Sequence, residues 1–220
     1  MKFIGSNQEI KLQNCNQNSI IRGYFKKEEG SVITESTVKS ASSLYSIEKI
    51  AACNLIELYR DKHKLNCAAL HLFNHESELR SVEFVSAKIV HGAIDISSGF
   101  LDYLELGNLD LVRDWGWAED YMEAFILSAL SYEPRDYIVA TGKSISLKCF
   151  VSNVFSELGL DWEKYVVYNE KFTRINEPNS IYVNPNLIRK ELGWSTSVVG
   201  NDVPKMLVKR VLKLRKYNEL

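Results

Sequence analysis

Tyr45 and Lys49 stand four residues apart in the segment LYSIEK, and on a helix that spacing sends both side chains from one face. An ammonium beside a phenol favours the phenolate. Such a pair could lower a tyrosine pKa from about 10 toward a value at which it exchanges a proton with a substrate hydroxyl. The same spacing also arises wherever a surface tyrosine stacks on a lysine stem, so the pair means proton transfer only if the rest of the chain supports it.

The elements that would position the pair follow from hydrophobic spacing. From Ser43 to about His63, apolar residues Leu44, Ile47, Ile50, Ala51, Leu55 and Leu58 recur with helical period. Asn66 to Phe73 reads as a buried strand, followed by a helix through Phe84 to Val90 and a strand around Tyr103 to Leu106. A loop is expected over Gly107 to Trp117 and a helix over Ala118 to Leu130. Asp136 to Thr141 reads as a strand, Ser146 to Leu158 as a helix and Tyr165 to Tyr168 as a strand. Asn186 to Leu192 is a short helix ended by Gly193, and Val203 to Tyr217 a basic amphipathic one. Lys2 to Gly5 could form a first strand, and residues 11–42 are polar and poorly periodic. Alternating strands and helices point to an α/β fold with a mainly parallel sheet. Folds of this kind usually hold a dinucleotide on a Gly-rich turn, yet the eleven glycines never fall into GxGxxG or GxxGxxG spacing.

Composition narrows the function further. With 27 basic against 28 acidic residues, no whole-chain field favours nucleic acid or an anionic membrane, so an anionic ligand must be held by local arginines and lysines. No apolar run reaches the roughly 20 residues of a membrane helix, and Met1 to Ile10 reads neither as a signal peptide nor as an anchor. A cytoplasmic protein is expected. Cys15, Cys53, Cys67 and Cys149 lack metal-ligand spacing and read as reduced thiols, mostly core filler.

Five further segments give the Tyr45–Lys49 pair a context. LFNHES (72–77), LGNLDLVRDWGWAEDY (106–121), YIVATG (137–142), GLDWEKYVV (159–167) and RKELGW (189–194) follow it in order. Together they resemble the GDP-mannose 4,6-dehydratases, nucleotide-sugar enzymes of the extended short-chain dehydrogenase group, from about Phe3 to the last helix.

That resemblance implies roles for particular residues. Tyr45 would take the proton from the sugar 4-hydroxyl as hydride leaves C4, and Lys49 would bind the nicotinamide ribose and tune Tyr45. Glu9 would remove the C5 proton, with Asn7 at the family's hydroxyl position; an amide cannot relay a proton as a hydroxyl does. His75 and Arg80 fall at positions that touch the cofactor. Asn74, Lys88, Arg113, Arg174 and Glu177 fall at positions that hold the sugar nucleotide, the arginines being suited to phosphate as planar bidentate cations. For Lys88 and the later residues a solvated surface charge is the alternative, and for His75 a loop histidine satisfied by backbone. Glu78 and Leu79 stand before Arg80 where the family has proline and arginine, which would weaken an NADP phosphate contact. Trp117 replaces a histidine, making that edge of the site more apolar.

The implied fold is an incomplete Rossmann-type parallel sheet with a smaller C-terminal substrate-binding domain. Residues 1–90 would be a remnant of the dinucleotide-binding domain and 91–220 mainly the sugar-nucleotide-binding domain, with some elements packing back on the sheet. The implied reaction converts GDP-mannose to GDP-4-keto-6-deoxymannose with NADP as cofactor. The chain would start near the family's fifth strand, so by itself it would lack an electron carrier. Three readings stay open: a dehydratase-type enzyme completed by a cofactor-binding chain, a non-catalytic sugar-nucleotide-binding or partner subunit, and a related nucleotide-sugar epimerase or dehydratase. A sheet missing its first strands leaves an open edge, so oligomerisation or aggregation is expected, the partner being a second copy or a complementing cofactor-binding chain.

Overall fold

The structure, a computed structural model, describes Phe25 and residues 29–41, 43–173 and 178–218. The strand expected at Lys2 to Gly5, Cys15, and the candidate residues Asn7, Glu9, Arg174 and Glu177 lie outside the described residues. After β1 (Val32–Ile33), helix α1 (Leu44–His63) starts where the pattern puts it. Ser43 and Ser46 each accept the other's backbone amide through the side chain, a reciprocal cap. Arg60, Lys62 and His63 suit the negative end of the helix dipole, and a left-handed Lys64 stops it.

Next come β2 (Leu70–Leu72), β3 (Asn74–Glu76), α2 (Val85–Ser97), β4 (Leu104–Leu106) and β5 (Val112–Trp117). Then follow α3 (Ala118–Leu130), β6 (Tyr137–Val139), β7 (Ser144–Ser146) and α4 (Leu147–Glu157). The chain closes with β8 (Val166–Tyr168), β9 (Tyr182–Val183), α5 (Asn186–Leu192) and α6 (Asp202–Asn218). Four pairings are parallel, β1 with β9, β2 with β6, β3 with β5 and β4 with β8, while β5 and β7 run antiparallel. The α/β architecture with mainly parallel strands is as expected.

Burial explains the layering. β2 and β6 are buried along their whole length, as parallel strands covered on both faces must be. On one side Phe73, Ile138 and Ala140 meet Cys53 of α1 together with Ile33 and Val183. On the other, Leu70, Leu72 and Val139 meet Tyr121 and Ala124 of α3 and Ile188 of α5. A third, larger cluster joins α2, α4 and α6 over Trp115 and Trp117 of β5. Residue 90 falls inside α2, whose buried apolar residues belong to this third cluster.

Several expectations need correction. Gly107 to Trp117 is not all loop: its second half is β5, buried at five of six positions, because Arg113 and Asp114 find backbone partners inside the fold. Trp117 lines no open edge but lies in the core, 2% exposed. The poorly periodic stretch before α1 contains β1. Of the described cysteines only Cys53 fills a core; Cys67 and Cys149 are half-buried thiols that bond to the Ile56 carbonyl and the Asn201 side chain. Among the described residues no helix is long and apolar enough to cross a membrane.

Candidate active site and sugar-nucleotide cavity

Tyr45 and Lys49 share a face of α1, with the Lys49 ammonium 5.0 Å from the centroid of the Tyr45 ring. The cation sits against the ring, and the acid-base consequence differs from expectation. Tyr45 has its pKa raised, first by burial and then by the neighbouring Glu48 carboxylate. The geometry of a YxxxK pair is present, but these surroundings do not activate the phenol.

β3 carries two candidate residues and a third that motif reading left without a role. His75 is a strand residue whose Nδ1 lies 2.8 Å from the Phe73 carbonyl, and its ring packs against Tyr121 at 5.1 Å. Burial lowers its pKa. Asn74 is half-buried beside it. Glu76 is fully buried, accepts the Ser86 hydroxyl at 2.6 Å and lies 3.4 Å from Arg80 Nε. Arg80 is turned inward: its guanidinium stands 3.9 Å over the Phe84 ring and donates to the His75 carbonyl at 3.3 Å.

The basic residues expected at phosphates are likewise engaged by protein. Arg113 is buried and donates to the carbonyls of Val112, Pro178 and Asn179, so it is no solvated surface charge. It braces the chain at Pro178 and Asn179. Lys88 donates to the Glu105 carbonyl at 2.7 Å and stands 3.5 Å over the Phe172 ring, and burial lowers its pKa.

Next to Lys88 a cavity of about 410 Å³ opens between the β4–β5 connection and β8, lined by Leu106, Gly107, Asn108, Asp110, Tyr168 and Thr173. That volume falls within the range of small-ligand pockets. Gly107 permits the close approach that shapes it, since a Cβ there would lie 2.6 Å from the Phe172 carbonyl oxygen. Motif reading passed over this hollow, because Asn108 and Asp110 resemble ordinary loop residues; the GNLD run was the available signal.

A buried polar group behind the site also escaped the sequence. Asp114 accepts the amides of Thr141 and Lys143 at 2.8 and 3.1 Å, and burial raises its pKa. Tyr121 packs over Gly116, where a Cβ would come within 2.3 Å of its ring. Asp120 takes the amides of Ser197 and Val198 and the Ser197 hydroxyl, tying α3 to the start of the last helical segment.

Taken together, these residues fit a dinucleotide at one end only. Tyr45 and Lys49 offer a phenol and an ammonium on an open helix face, whereas Arg80 is held by Glu76 and Phe84 and is not presented to a phosphate. No step through a nicotinamide follows from this arrangement.

Comparison with known proteins agrees with the fold and order of motifs. The family model described as GDP-mannose 4,6 dehydratase matches residues 24–206. GDP-mannose 4,6 dehydratase 2 of Arabidopsis thaliana is 35% identical over 187 residues, covering 85% of this chain and 50% of the relative. The Homo sapiens GDP-mannose 4,6 dehydratase is 30% identical over 201 residues, covering 84% and 54%. The chain thus spans about half the length of the curated relatives it matches. Among solved structures, RMD from Pseudomonas aeruginosa complexed with NADPH superposes with a TM-score of 0.78 at 17% identity, covering 87% of this chain and 63% of that one. A dTDP-glucose 4,6-dehydratase from Bacillus anthracis in complex with NAD gives 0.77 at 18%, covering 90% and 61%. These likenesses place the fold among Rossmann-type epimerases and dehydratases, and the sequence matches show that the chain belongs to the GDP-mannose 4,6-dehydratase family.

Proposed function

We propose that this chain supplies the sugar-nucleotide-binding and proton-transfer part of a GDP-mannose 4,6-dehydratase-type lyase, which acts on a GDP-hexose in the cytoplasm when an NADP-binding portion is provided. The observation that carries the reading is the cavity beside β4 and β8, whose wall residues Leu106 and Thr173 follow the Lys88 partners Glu105 and Phe172, in a chain of this family. Lys88, Asn74, Arg174 and Glu177 hold the nucleotide and its phosphates, and Arg113 joins them only by giving up its bonds to Pro178 and Asn179. Tyr45 exchanges the proton of the sugar 4-hydroxyl, with Lys49 beside it, and Glu9 with Asn7 serves the C5 side. His75 and Arg80 face the supplied cofactor, so Arg80 must leave Glu76 to meet a phosphate. The partner is a second copy or a complementing cofactor-binding chain.

Calorimetric titration tests the binding half of this reading: GDP-mannose should bind more tightly than NADP, and equal or tighter NADP binding would contradict it. Adding a separately expressed cofactor-binding segment of a full-length relative tests the catalytic half. Product should form, and Tyr45→Phe should then cut the rate about a hundredfold to ten-thousandfold, the usual contribution of one acid-base group. The raised pKa of Tyr45 and the inward turn of Arg80 favour a second reading, a non-catalytic sugar-nucleotide-binding subunit. Binding of GDP-mannose without product after complementation would select it. Competition by dTDP- and UDP-sugars at similar affinity would instead select a related epimerase or dehydratase.

A further inference from the structure

Helix α2 starts without help from its own sequence. Among the described residues no side chain caps its first amides, and no acidic residue stands in its first turn. Glu76, at the end of β3, supplies the missing charge from outside: its Oε2 accepts the Ser86 hydroxyl at 2.6 Å, bringing a carboxylate to the positive end of the helix while the first amides stay uncapped. The same oxygen lies 3.4 Å from Arg80 Nε, while Arg80 reaches back to the His75 carbonyl and covers Phe84. The connection between β3 and α2 is therefore wrapped around one carboxylate. Lys88 follows Ser86 by two residues and ends at Glu105 and Phe172, the residues that precede Leu106 and Thr173 of the cavity wall.

We propose that Glu76 is a positioning residue for the sugar-nucleotide cavity: by holding Ser86 and Arg80 it fixes the first turn of α2, and with it the placement of Lys88 against Glu105 and Phe172, which flank the cavity wall. The ligand part of this inference rests on the function proposed above; the positioning part does not. Burial pushes the Glu76 carboxyl up to about 7. The groups facing it are Arg80 from the connection, the Ser86 hydroxyl from α2 and, further off, the Tyr121 hydroxyl from α3. Above that pH the carboxylate holds both partners; below it the ion pair with Arg80 is lost and the clasp loosens.

The test uses the whole chain and the variants Glu76→Gln and Ser86→Ala. GDP-mannose binding is measured by calorimetry at pH 6 and 8, alongside hydrogen exchange of the first-turn amides of α2 and amine labelling of Lys88. The wild type should bind several-fold more tightly at pH 8 than at pH 6. Glu76→Gln should lose that difference and stay near the weaker value, without a lower melting temperature at pH 8. Both variants should exchange and label faster. A Glu76→Gln protein with the affinity and pH profile of the wild type overturns the proposal. If the wild type binds no GDP-mannose, the functional reading fails and the other two readouts decide. Faster exchange and labelling then support the positioning role, and unchanged values overturn it.

Discussion

Tyr121→Phe should make this protein more stable. The Tyr121 side chain is fully buried, its ring lies 5.1 Å from His75 and 5.9 Å from Trp194, and its hydroxyl has no hydrogen-bond partner among the described residues. Burial and the nearby carboxyls of Asp114, Glu76 and Asp120 hold the phenol well above its ordinary pKa, so it stays neutral. A buried hydroxyl left without a partner costs about 1–3 kcal/mol. Phenylalanine keeps the ring and its packing and gives up only the dispersion contacts of one oxygen, a few tenths of a kcal/mol each way. The net gain should be about 1–2 kcal/mol, and in a chain of this size each kcal/mol moves Tm by about 2–4 °C. Thermal melts followed by near- and far-ultraviolet circular dichroism should therefore rise by roughly 2–8 °C. The same rise should be seen at pH 6 and pH 8. A fall in Tm would refute the reasoning, since it would mean that a trapped water satisfies the hydroxyl in solution.

Other expectations follow from the same region. Gly116→Ala should destabilise by about 1–3 kcal/mol, because the new methyl group would press on the Tyr121 ring and neither strand nor ring can move freely; urea unfolding at constant m-value measures it. Stability should also fall as pH rises from about 4.5 to about 7 through Glu76. The folded state keeps that proton longer than the unfolded chain, so the contribution is favourable below the unfolded pKa and is lost through the folded one. The size is on the order of 3 kcal/mol, at about 1.4 kcal/mol per pKa unit. Glu76→Gln should flatten that limb of the stability curve, and a variant with an unchanged curve would show that the carboxyl titrates normally.

What could be read from the sequence was the periodic part. Helices α3 and α5 begin and end where apolar spacing and Gly193 put them, and Ser43 marks the start of α1. The short strands were harder: β1, β3, β7 and β9 have two or three residues, too few for an alternation to show. VRDWGW resembles a loop because it contains arginine, aspartate and glycine. It is a buried strand because distant backbone groups, the amides of Thr141 and Lys143 and the carbonyls of Pro178 and Asn179, satisfy those side chains. The shared face of Tyr45 and Lys49 was legible from spacing alone. The direction of the Tyr45 shift was not, because it depends on burial and on Glu48. In the same way, the sequence shows which residues are cations but not that Arg80 and Lys88 lie over Phe84 and Phe172.

The pairing of β1 with β9 sets a timetable for biosynthesis. Val32 lies beside Tyr182, and the Glu29 carboxylate receives the amides of Asn179 and Ser180, so the first described strand is completed only by residues near the end of the chain. At about 5–20 residues per second a ribosome needs roughly 8–30 s to pass from one strand to the other, and for that interval Phe25 and Ile33 wait without Ile181 and Val183. Local helices can form early, but closure of this layer must await residues 179–183. A message that stops short of residue 180 would thus leave β1, made long before, without its paired strand and open to chaperones and proteases.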